Sequence, residues 1–248
     1  MSQIVRVNRK IQFASDAQHQ ANVSGNLDPE RMCSIDWFDQ TALDTTNDYT
    51  ATLGGNNDAV GLNASGINGL KMTTGDGDNE ISFLGTALIF DISNEPEIAT
   101  RVKIADVSGT VFFFGFSDAN TETTPAATID YADATLAAAA TDACGFVVDA
   151  DKGTSSIYCA SIATGGSVAA TDSGLDWTDN QVKELRIKID SSGNVTWYVD
   201  NAPVFYKATA VTDVPLCAIY NWGVRANDGT NYVYAYYLKK WQNITALA

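Results

Sequence analysis

The stretch from Val182 to Asp200 constrains the fold more than any other. Leu185, Ile187 and Ile189 recur at every second position, with Lys183, Arg186 and Lys188 largely on the other side. Period-two alternation marks a strand with one buried face. Asp190-Ser191-Ser192-Gly193-Asn194 interrupts it, and Val195, Trp197 and Val199 then resume the spacing. A three-residue loop Ser191-Ser192-Gly193 puts glycine at the left-handed position of a bulged turn. That turn pairs Ile189 with Val195, Ile187 with Trp197 and Leu185 with Val199. All six fall on one face, so turn chemistry and register agree.

Other segments repeat the pattern. Ile98, Thr100, Val102 and Ile104 alternate with more polar neighbours from Glu97 onward. After the turn Val107-Ser108-Gly109-Thr110, Val111 to Phe116 is apolar throughout, as in a strand covered on both faces. Gly145–Asp149 and Ser156–Ala160 flank the turn Asp151-Lys152-Gly153-Thr154. Leu216–Val224 and Tyr232–Trp241 read as closing strands. The row Tyr232, Tyr234, Tyr236 reads as core or cross-strand packing. Residues 117–143, rich in Ala, Thr and Asp, read as a long loop with at most one short helical turn. No segment carries an amphipathic helix pattern, so the expected class is all-β, a two-sheet antiparallel β-sandwich. Residues 1–34 form an irregular N-terminal arm, docking or partly disordered, and residues 35–248 the sandwich.

Of the 248 residues 45% are apolar, enough for a sizeable core, and the formal net charge is −15. Such a surface repels a phosphate backbone, so no nucleic acid partner is expected. Against this background Arg6, Arg9 and Lys10 stand without an acidic neighbour. They suggest a docking arm for an acidic partner, or a short disordered leader. No apolar stretch has the length of a membrane span and no signal peptide is visible, so neither membrane insertion nor export is expected. Cys33, Cys144, Cys159 and Cys217 form no CxxC pair and read as free thiols. In the 145–160 hairpin Cys159 falls beside Phe146, not opposite Cys144.

Candidate chemistry is sparse. Glycoside hydrolysis needs two carboxylates facing each other across a cleft. The close pair Glu95 and Glu97 is split by Pro96, which marks a turn. His19, the lone histidine, sits in a polar stretch without an evident nucleophile. No enzymatic activity and no cofactor are therefore expected. Asp76, Asp78 and Glu80, spaced around Gly77, could hold Ca²⁺, although Asp and Gly are also what an ordinary turn needs, and that reading is preferred. Trp177 and Trp222 lie near loops and are the candidates for an exposed sugar-stacking platform.

The segments Ala99–Ile104, Phe112–Asp118, Gly145–Asp149, Leu185–Asp190 and Gly193–Asn201, with the opening Trp37-Phe38-Asp39 and Asn68-Gly69-Leu70, resemble the concanavalin A-like (laminin G-like) jelly rolls. The likeness spans roughly residues 35 to 242 and is closest to the phage members of that superfamily. It implies a virion structural protein, a capsid decoration (cement) protein made in the bacterial host cytoplasm and located on the virion. Its partners would be the major capsid protein, other virion proteins and further copies of itself. The alternative is a lectin-like carbohydrate-binding module gripping host glycan on the virion surface or tail. The lectin branch's calcium and sugar ligands have no residue-by-residue match here.

Overall fold

The alternation between Val182 and Val199 forms a hairpin, and its register is the one the sequence predicts. Ile189 faces Val195, Ile187 faces Trp197 and Leu185 faces Val199. A computed structural model describes residues 31–39, 42–54, 58–62, 69–75, 77, 79–119, 127–225 and 231–243. The arm residues Arg6, Arg9 and Lys10 lie outside them.

Seventeen strands are present among the described residues. In chain order they are β1 (Arg31–Asp36), β2 (Tyr49–Thr52), β3 (Ala59–Leu62), β4 (Leu70–Thr73), β5 (Ile81–Thr86), β6 (Glu97–Ile104), β7 (Thr110–Ser117), β8 (Ile129–Ala132) and β9 (Thr135–Ala138). Then follow β10 (Ala143–Asp149), β11 (Ser156–Ile162), β12 (Ala169–Asp176), β13 (Val182–Ile189), β14 (Val195–Val199), β15 (Ala202–Lys207), β16 (Cys217–Val224) and β17 (Tyr232–Asn243). The first sheet runs β15-β14-β13-β6-β17-β4-β3, with β1 also on β17. The second runs β12-β11-β10-β7-β16-β5-β2. Every named pairing is antiparallel. The architecture is an all-β, two-sheet jelly-roll sandwich.

The two inner faces build one core. Leu185, Ile187, Trp197, Ile98 and Val102 come from the first sheet, and Phe112, Phe114, Phe146, Tyr220 and Trp222 from the second. The Trp197 indole donates across the sandwich to the Gly145 carbonyl at 3.0 Å. Lys183 shares the parity of Leu185 and is buried rather than solvent-facing, a correction to the sequence reading.

The 117–143 region is corrected too. Instead of a long loop it carries the β8–β9 hairpin, which packs on the outer face of the second sheet. Ile129 and Tyr131 join Phe113, Val147, Tyr158 and Ile219 in a second apolar cluster. This cover is why β7 and β10 are buried on both faces. Cys144, Cys159 and Cys217 are buried free thiols, and Cys159 pairs in register with Phe146.

Candidate functional site

Three loops meet at one end of the sandwich, those after β6, β10 and β12. They enclose an open cleft of about 450 Å³, within the usual range of small-molecule sites. Its rim carries Ser108, Thr154, Thr178 and Asp179, all exposed, together with Ser155. Hydroxyls and one carboxylate are groups that exchange hydrogen bonds with a polyhydroxylated ligand.

The rim is fixed by its own hydrogen bonds. Asp179 Oδ1 accepts from the Val107 backbone N–H at 2.9 Å, fastening the first loop to the third. The Trp177 backbone N–H donates to the Ser155 carbonyl at 2.8 Å, fastening the third to the second. Asn180 donates from its backbone to the Ile104 carbonyl and from its side chain to that of Ala105. A 3₁₀ turn over Ala150–Lys152 ends at Gly153 with φ 74°, a conformation glycine adopts without a Cβ penalty. Loops held in this way lose little freedom on binding.

Trp177 is not the exposed platform expected from its neighbourhood. Its side chain is fully buried behind the cleft wall, edge-on to Phe112, and its indole donates to the Gln181 carbonyl at 3.0 Å. Trp222 is equally buried. It shares the core-facing parity of Ala218 and Tyr220 on β16 and donates to the Thr73 carbonyl. Neither indole presents a stacking surface. Sequence reasoning found Trp177's neighbourhood but missed Ser108, Thr154 and Asp179, because hydroxyl and Asp residues in turns carry no pattern of their own.

The carboxylates are placed as follows. Glu97 is buried on the outer side of β6 and paired with Arg186 at 3.1 Å. Glu95 follows the 3₁₀ turn Ile92–Asn94 in a left-handed conformation, φ 48°. Neither lines the cleft. Elsewhere, Arg225 Nη2 lies 2.8 Å from both Asp130 Oδ2 and Asp149 Oδ2. Its Nη1 donates to Asn79 Oδ1, and Asp149 also accepts the Tyr131 backbone N–H at 2.8 Å. Burial pushes the Asp130 carboxyl up, against the pull of Arg225. This network clasps β8 to the outer face of the second sheet. Of the Ca²⁺ candidates, Asp76 and Asp78 lie outside the described residues. Glu80 is half-buried beside Gly77. Among the described residues no group of three or more His, Cys, Asp or Glu is placed to hold a metal.

No family model matches the sequence, and no curated protein matches it. Solved structures do resemble it. The Emp47p carbohydrate recognition domain superposes with a TM-score of 0.58 at 13% identity, covering 93% of this chain and 100% of that one. A structure from work on endo-acting O-glycanases of the human gut microbiota gives 0.60 at 10%, covering 86% and 99%. A Bacteroides ovatus family 16 glycoside hydrolase, complexed with a mixed-linkage glucan product, gives 0.56 at 12%, covering 84% and 99%. At these identities the likeness establishes the fold, a concanavalin A-like jelly roll. It also corrects the expectation that the chain is not an enzyme. The fold found here is one that glycoside hydrolases use, so fold and sequence pattern do not exclude catalysis. None of these three is described as a capsid protein.

Proposed function

We propose that the chain recognises carbohydrate, and that the three-loop cleft is where a saccharide binds. The observation that carries this reading is the cleft itself: a rim of hydroxyls and one carboxylate, pre-ordered by hydrogen bonds, on a jelly-roll scaffold. The likeness to a carbohydrate recognition domain and to glycoside hydrolases supports it as analogy of fold. The capsid decoration reading came from the resemblance to phage jelly rolls, with Arg6, Arg9 and Lys10 as its docking arm, and a virion location remains a proposal. It is tested by mass spectrometry of density-banded particles.

The test of the cleft is a glycan array followed by calorimetry on the best neutral oligosaccharide, with Ser108→Trp as the blocking variant. Ser108 is exposed on the rim, so the indole fills the cleft without entering the core. Binding should fall about tenfold or more, a loss of about 1.4 kcal/mol, with the unfolding midpoint unchanged. Undiminished binding by Ser108→Trp, or an array without hits, rejects the cleft. Release of reducing ends from the bound glycans is measured alongside, because hydrolases share this fold.

A further inference from the structure

The outer face of the first sheet runs against the charge of the rest of the molecule. The chain has 15 Lys and Arg against 30 Asp and Glu. Strand register nevertheless puts Lys71, Arg101, Lys103, Arg186, Lys188 and Lys239 together on this face, opposed there by Glu97 and Glu184. The same face carries the tyrosine row that the sequence analysis read as packing. Tyr232 and Tyr234 are half-buried and packed 6.3 Å apart.

The cations lie over the rings. Lys71 Nζ sits 3.7 Å from the centroid of Tyr232, Lys103 Nζ 4.6 Å from Tyr234, and Lys239 Nζ 5.0 Å from Tyr237. The Arg186 guanidinium lies 3.7 Å from the centroid of Tyr198. Among the described residues the ion pair on this face joins Arg186 to Glu97, and none engages Lys71, Lys103 or Lys239. A lysine held on a ring keeps its charge and has already given up part of its rotamer freedom, so docking an anion costs less. From β4 to β14 the face spans four strand spacings, about 19 Å.

We propose that this face binds a carboxylate-bearing polysaccharide, a polymer of uronic acid units. The proposal rests on the carbohydrate reading above but uses a surface separate from the cleft. Charge complementarity selects the occupant. A second copy meeting face to face would oppose like charges. Duplex nucleic acid carries about one charge per 1.7 Å, so the acidic body repels it more strongly than a polymer with one charge per sugar ring. A uronate polymer spaces its charges by whole sugar rings, which suits single cations spread across the sheet.

The experiment is affinity electrophoresis of the full chain through gels holding polygalacturonate, its methyl ester, a neutral β-glucan or single-stranded oligo-dT. Polygalacturonate should retard the chain, and the methyl ester and oligo-dT at least about tenfold less. Retardation should weaken toward about 0.5 M NaCl. The K71Q/K103Q/K239Q variant should lose about tenfold in affinity, while K71R/K103R/K239R, keeping charge at each position, should retain it. Equal retardation of the glutamine variant, equal binding of the methyl ester, or preference for oligo-dT overturns the proposal. Neutral-glucan binding blocked by Ser108→Trp, with no response to polygalacturonate, overturns it and leaves the cleft standing. Response to polygalacturonate lost in the lysine variant but kept in Ser108→Trp upholds the face, whatever becomes of the cleft.

Discussion

Replacing Arg225 with Gln would leave two carboxylates, Asp149 and Asp130, packed under a hairpin without their cation. Breaking a buried pair from one side costs about 3–5 kcal/mol, so Arg225→Gln should lower the unfolding free energy extrapolated from urea titration by that amount, through a lower midpoint with little change in slope. At Asp190, slight burial pushes the carboxyl up, but hydrogen bonds from the Asn194 amide and the Ser192 and Asn194 backbone outweigh it and hold the pKa below the usual value. A depressed carboxylate contributes stability above its unfolded pKa and loses it as pH falls through the folded one. Asp190→Ala should therefore be less stable than the parent at pH 7, and the gap should close on acid titration below about pH 4. Burial pushes the Cys159 thiol up to about 12 and, with a smaller opposing pull from backbone hydrogen bonds, the Cys217 thiol also to about 12. At pH 8 thiol reagents should leave both untouched in the native protein and label all four cysteines after unfolding. Arg225 was illegible in the sequence because its partners are 76, 95 and 146 positions away, and each looks like an ordinary turn residue.

The β13–β14 hairpin was legible down to its register because all the information is local. Gly193 has φ 75°, and a Cβ there would run into the Val211 carbonyl. Gly193→Ala should thus cost about 1–3 kcal/mol, read from the thermal midpoint. The β8–β9 hairpin was missed for the opposite reason. Its turn residues Asp133 and Ala134 adopt left-handed φ of 48° and 61° without a glycine, so the usual hairpin signal is absent. The alanine run at 137–140 also dilutes strand alternation. Ile129→Asp should loosen this cover and expose Phe113, Val147 and Ile219, seen as increased binding of a hydrophobic dye with strand circular dichroism retained. Trp222 could have been placed in the core from its spacing with Ala218 and Tyr220. Nearness to a loop outweighed periodicity in the sequence reading.

For the whole molecule, the layer architecture followed from strand alternation, whereas the cleft did not, because it forms only where three separate loops converge. Its place relative to Arg31 and Asn243 has a further consequence. β1 lies beside the end of β17, with Arg31 opposite Asn243. The other end of β17, at Tyr232, adjoins the loop after β6 through the Ala105 backbone N–H. A twelve-residue strand therefore separates the cleft from both paired positions, by about 35 Å. Arg31 and Asn243 therefore lie at one pole of the sandwich, and the cleft opens at the other. Tethered to a sensor chip at position 31 or at position 243, the protein should present an equally accessible cleft, so orientation on a surface is built into the strand order.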